Sequence, residues 1–163
     1  MKSRYLYLIA ISVIVIDQLT KSVAVDYLPF EYAKPIVGNF IYLTTIHNRG
    51  CAFGVLQSWV GPLILVTLAV IVYILALSRR KAPISTLVGI ALGLQLGGAI
   101  GNLIDRVRLR YVIDFIGVGM WPVFNIADVA ITVGILLLAY HLLFCEGRAK
   151  ENRTSGTTET TKE

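Results

Sequence analysis

Two carboxylates that share one proton can hydrolyse a peptide bond without a metal or a nucleophilic side chain. The ionised member takes a proton from water while the protonated member donates to the carbonyl oxygen. Among the candidate acids of the sequence, Asp114 after the third of four apolar runs and Asp128 at the start of the fourth are the pair best placed to meet. Mutual repulsion and low dielectric would hold the single proton in place. Other hydrolytic chemistries lack their residues, since neither an HExxH helix nor a Gly-x-Ser-x-Gly elbow occurs. Cys51 and Cys145 have no neighbour at metal-ligand spacing, so no metal and no cofactor is expected. His47 and His141 fall on opposite sides of the topology derived below, and neither has a partner for general-base work.

The remaining polar residues of the apolar runs gather at one depth. Asp17, Gln18, Thr20 and Lys21 occupy the outer half of the first run, and Asn102, Asp105 and Arg106 the outer end of the third. Asn125 and Asp128 open the fourth, and Asn48 and Asp114 lie in the outer connections, with Asp114 read as a loop residue. Each such side chain inside hydrocarbon costs on the order of 2.5–3.5 kcal/mol, so their convergence points to a site at the outer interface. Structural roles compete with this reading. Asp17 and Lys21 are four apart, acid first, as in a helical ion pair. Asn125 can cap the fourth helix, with Asp128 as the capping-box acid.

The elements that must position these residues follow from composition. With 56% hydrophobic and 15% charged residues, the 163-residue chain is too apolar for an ordinary soluble domain. About 20 apolar helical residues bridge a bilayer, and four such runs appear, near residues 6–25, 59–77, 84–104 and 124–144. The first could be a cleaved signal peptide, with Ser22 and Ala24 as its small-residue site. Asp17, Gln18 and Lys21 would then crowd the cut, so a retained helix is preferred. With both termini in the cytoplasm, nine Lys and Arg lie inside, Arg79, Arg80 and Lys81 in one loop, and six outside. The net charge of +5 therefore suits a membrane protein better than nucleic-acid binding.

The predicted fold class is all-α membrane, a four-transmembrane-helix bundle with a small extracytoplasmic β-sheet. The sheet is placed within residues 26–58, where residues 40–46 alternate as a strand does. Residues 1–147 form the membrane domain and the polar, Thr- and Glu-rich residues 148–163 a disordered cytoplasmic tail. Gly89, Gly93, Gly97 and Gly101 recur every fourth residue, with Gly98 beside them, and predict a helix face that a neighbouring backbone approaches closely.

Five segments then carry a resemblance: Asp17-Gln-Leu-Thr-Lys21, Asn48-Arg-Gly-Cys-Ala-Phe53, Gly97-Gly-Ala-Ile-Gly-Asn-Leu-Ile-Asp-Arg106, Val112-Ile-Asp-Phe115 and Phe124-Asn-Ile-Ala-Asp128. In type and order they resemble lipoprotein signal peptidase (signal peptidase II), an aspartic endopeptidase family of the bacterial cytoplasmic membrane. The resemblance implies Asp114 and Asp128 as the catalytic dyad. It implies Asn48, Gly50, Asn102, Arg106, Asn125 and Ala127 as lining or support, with Asp17 and Lys21 bracing the first helix. The implied substrate is a prolipoprotein bearing a diacylglyceryl-modified cysteine, cut just before that residue. Membrane lipids, inhibition by globomycin-like cyclic peptides and a monomeric state are implied as well. Arg110 stands where the family often has glycine, and the link from Asp114 to Asp128 is short.

Two other function classes fit the polar residues less fully. One is a small transporter or channel using Asp17 and Asp105 as an ion path. The other is a non-catalytic scaffold that uses the glycine face.

Overall fold

A computed structural model of the chain describes residues 4–28, 30–38, 40–50, 60–79 and 85–145. The elements run α1 (Arg4–Tyr27), β1 (Lys34–Val37), β2 (Ile41–Asn48), α2 (Val60–Ser78), α3 (Thr86–Leu109), β3 (Val112–Val118) and α4 (Ile126–Tyr140). A π-helical turn, His141–Cys145, continues α4. All four helices are long and apolar enough to cross a membrane. Cys51, the Arg80 and Lys81 end of the basic loop, and the tail lie outside the described residues.

Helix α3 is the axis of the bundle and packs against α1, α2 and α4. Its most apolar window is 56% buried, against 22% or less in the other three, which turn most of their apolar side chains outward. Outward residues such as Leu8, Leu19, Leu65, Val72 and Ile135 suit acyl chains as solvent. Leu6 and Ala10 of α1, Ile71 and Ile74 of α2, and Leu92, Leu96 and Ala99 of α3 form one core cluster.

Without a hydrophobic force to drive helices together in lipid, close backbone approach must supply the contact. The glycines of α3 provide it. A Cβ on Gly97 would lie 2.7 Å from the Ala10 carbonyl oxygen, and one on Gly101 would lie 2.6 Å from the Asp17 carboxylate. Gly98 faces the other way and receives the Ala127 backbone of α4.

The first helix, α1, is an integral wall of the bundle: it packs along α3 and carries buried Asp17 and Lys21. Helix α3 begins on Ser85, whose side chain accepts the Val88 N–H, and ends on Arg110 in the left-handed region, φ 66°. A side chain there costs on the order of 1 kcal/mol relative to glycine. Glycine suits this position for that reason, and nothing in the structure explains the arginine. The helix also runs beyond its apolar stretch, because Asp105 and Arg106 find partners within the protein.

One expectation is corrected. The sheet is not confined to residues 26–58; it is antiparallel in the order β1-β2-β3, and its third strand comes from the link between α3 and α4. Asp114 is therefore a strand residue, not a loop residue. The run Val112–Phe115 lacks polar alternation because nearly all of β3 is buried, so no strand signal marked it.

Register on this sheet matters. β2 carries one extra residue between Leu43, opposite Ile116, and Ile46, opposite Asp114. This bulge switches the face of the residues after it. Asn48 thereby shares the face of Asp114; in a regular strand His47 would stand there. His47 instead stacks on Tyr111, centroids 3.9 Å apart.

Close approach at Gly97 is testable by thermal unfolding in detergent micelles. Gly97→Ala is expected to lower stability by about 1–3 kcal/mol through overpacking. Gly61→Ala, with nothing among the described residues within 4 Å of its new Cβ, is expected to leave it unchanged or slightly raised. Equal melting temperatures for Gly97→Ala and the wild type would contradict this packing.

Candidate active site

The site lies at the end of the bundle where α1 finishes, α3 finishes, α4 starts and the sheet sits. Its foundation is an ammonium. Lys21 is 2% exposed and its Nζ reaches Asp17 Oδ2 at 2.9 Å, Asp105 Oδ2 at 2.8 Å and Asn102 Oδ1 at 3.0 Å. An ammonium has three donors, and here each has an acceptor. The two acids are satisfied in turn. Asp17 Oδ1 accepts the Ala127 N–H at 3.0 Å, which fixes the first turn of α4. Asp105 Oδ2 accepts the Ile113 N–H at 3.2 Å, which fixes the start of β3. Gln18 Nε2 donates to Asp105 Oδ1 at 3.0 Å and to Asp17 Oδ2 at 3.2 Å.

Two amides carry this order outward to the carboxylates. Asn102 accepts from Lys21 and donates through Nδ2 to Asp128 Oδ1 at 2.8 Å. Asn125, fully buried, donates through Nδ2 to Asp114 Oδ1 at 2.6 Å and Asn102 Oδ1 at 3.1 Å. Asn48 Nδ2 donates to the other oxygen of Asp114 at 2.8 Å, and its own Oδ1 accepts the Gly50 N–H at 3.0 Å. Asn125 is also the N-cap of α4 in a reciprocal capping box with Asp128. The backbone link between the acids folds back on β3, with Phe124 and Ile116 exchanging hydrogen bonds of 3.0 and 2.9 Å. A short link is thus what brings Asn125 and Asp128 back to Asp114.

The two carboxylates differ in environment. Asp114 is 2% exposed, whereas Asp128 is half-buried and faces two clefts. Burial, followed by the nearby charge of Asp128, pushes the Asp114 carboxyl up to about 7, against the lowering effect of Asn48, Asn125 and Lys21. One cleft, about 310 Å³, is lined by Trp121, Phe124, Val129, Thr132 and Val133 beside Asp128. The other, about 410 Å³, descends between α2, α3 and α4 and carries Gln95, Asn102 and Arg106. Arg106 Nη1 approaches the Asn102 carbonyl at 3.5 Å.

Residues 9–144 match the family described as Signal peptidase (SPase) II. The chain belongs to the signal peptidase II family. As a member it is an aspartic endopeptidase and a multi-pass membrane protein. It is 46% identical over 150 residues to the lipoprotein signal peptidase of Geobacillus thermodenitrificans (strain NG80-2), covering 90% of this chain and 94% of that one. It is 44% identical over 141 residues to that of Moorella thermoacetica (strain ATCC 39073 / JCM 9320), covering 86% and 93%. A solved structure titled "Bacterial membrane enzyme structure by the in meso method at 1.9 A resolution" superposes with a TM-score of 0.78 at 30% identity, covering 86% of this chain and 93% of that one. A second, with the same title but at 2.3 A, gives 0.79 at 29% identity, covering 85% and 87%.

In this signal peptidase II the residues implied as dyad, lining or support fall into one network or onto its rim, whereas Thr20 bonds back to carbonyls of its own helix. Asp17 and Lys21 form the expected pair, but Lys21 is held equally by Asp105. The lysine is paired with both acids that an ion path would use. Gln18 and Asp105 belong to the polar residues that converge at one depth but are not among the implied dyad and its supports, and nothing in the sequence points to the Ile113 amide. Gln18 and Asp105 lie in the quoted motifs, but only the packing of α1 on α3 brings them together.

Lys21→Met would leave two buried carboxylates without their cation, and is expected to cost about 3–5 kcal/mol of stability. Adding Asp17→Asn and Asp105→Asn to Lys21→Met is expected to recover most of it. Denaturant unfolding in micelles measures both, and a Lys21→Met protein as stable as the wild type would contradict the cluster's role.

Proposed function

We propose that this signal peptidase II removes the signal peptide from diacylglyceryl-modified prolipoproteins, cutting just before the lipidated cysteine, with Asp114 and Asp128 as the dyad. One observation carries the reading. Asp114 Oδ1 and Asp128 Oδ1 hang from the linked amides of Asn125 and Asn102, one acid buried and the other at the meeting of two clefts. Asp114, whose carboxyl is pushed up to about 7, still carries a proton in a large share of molecules at neutral pH and donates it to the scissile carbonyl oxygen. Asp128, at the cleft mouth, takes a proton from the attacking water and returns it to the departing nitrogen.

Asn48, Gly50, Asn102 and Asn125 hold the carboxylates, while Asp17, Lys21 and Ala127 hold the helices that bear them. Arg106 lines the rim of the deeper cleft. The excess of basic residues at the opposite end supports a site facing outward, with both termini cytoplasmic. At that depth the diacylglyceryl chains would anchor the scissile bond in the membrane. The apolar cleft beside Trp121 and Val133 suits the acyl chains, and the polar-striped cleft along α3 suits the peptide. A globomycin-like cyclic lipopeptide would compete for both.

Asp114→Asn and Asp128→Asn are each expected to lower the cleavage rate of a lipidated precursor by at least about 100-fold. The readout is mass spectrometry of the products in micelles, with the melting temperature retained. Cleavage at the wild-type rate by either variant would exclude the dyad.

A further inference from the structure

Beneath the dyad, the deeper cleft holds a polar group that the network above does not use. Gln95 of α3 lines this cleft, and its Nε2 is shut off from the surface without a hydrogen-bond partner among the described residues, so that it meets a substrate carbonyl once the terminal amide turns toward the cleft. Gln95, Ala99, Asn102 and Arg106 fall at helical spacing on one face of α3, and all four line the cleft. Gly134 of α4 makes room for the glutamine stem, since a Cβ there would lie 2.7 Å from Gln95 Cγ. The side chain is therefore clamped between α3 and α4. Across the cleft the Thr67 hydroxyl donates to the Leu63 carbonyl of its own helix at 2.7 Å. An unpaired amide at membrane depth is costly, and leucine of similar size would avoid that cost.

We propose that Gln95 is a substrate-binding residue that donates to a main-chain carbonyl of the signal peptide about three residues before the scissile bond. The inference rests on the peptidase reading and deepens it. Asn102, bonded to Asp128, marks the depth of the catalytic carboxylates. Gln95 lies seven residues deeper, about 10 Å along the helix. An extended peptide covers that distance in three residues at about 3.3 Å each. Near the cut the substrate must leave its helix, and the carbonyls at a helix end lack intrahelical partners. A donor at that depth gives one of them a partner inside the membrane and sets which bond reaches the dyad.

The test compares the wild type with Gln95→Leu on synthetic lipidated precursors in micelles, together with precursors in which one amide before the cut is replaced by an ester. An ester carbonyl is a weaker acceptor, and the replacement leaves side chains unchanged. Gln95→Leu is expected to lower kcat/KM about tenfold while leaving the melting temperature unchanged or raised. A purely structural role for Gln95 would lower both. One ester position, about three residues before the cut, is expected to slow the wild type but not Gln95→Leu. Unchanged kcat/KM in Gln95→Leu, or equal ester sensitivity in both enzymes, would overturn the proposal. The peptidase reading would still stand in that event as long as the wild type cleaves the unmodified precursor in the same assay.

Discussion

A single lysine ammonium sealed inside the bundle is the constraint on which the site depends. Its three acceptors come from α1 and α3, and the acids among them reach on to backbone amides of α4 and β3. Four elements distant in sequence are thus tied to one point charge. Burying an ion pair is not in itself a strong source of stability, because desolvation offsets much of the attraction. What it supplies here is position. Neither acid can move without leaving a charge unpaired, so Ala127 and Ile113 are fixed, and with them the starts of α4 and β3.

From that anchor the order passes through amides rather than charges, which suits the chemistry. A second cation against the dyad would favour loss of its proton, whereas asparagine donors orient carboxylates with less electrostatic pull. Lys21 still acts on Asp114, but burial and the repulsion of Asp128 outweigh it. Close packing makes this possible. Gly101 admits the Asp17 carboxylate between α1 and α3, and Ala127 is small enough to sit against the same glycine.

The sequence made the four helices legible because apolar length reports the bilayer directly. The Asp17 and Lys21 pair and the Asn125 capping box were legible because local helical spacing decides them. At Asp128 the structural and functional readings coexist: Oδ2 caps the helix while Oδ1 meets Asn102. The missed features were those set by long-range packing. β3 has no alternation to announce it, the β2 bulge shows only in pairing, and the Lys21 to Asp105 contact depends on how two helices are rotated. Gln95 gave no signal in an apolar run, because its meaning lies in the cleft it faces.

Infrared titration of the purified enzyme across neutral pH tests most directly whether this architecture holds a proton on the dyad. The protonated-carboxyl band of the wild type is expected to persist to neutral pH and to fade with a midpoint near 7. kcat/KM should fall over the same range as the acid is lost, and Asp114→Asn should lack the band. A wild-type enzyme with no such band at neutral pH, Asp114 titrating near the ordinary 3.8, would contradict the account.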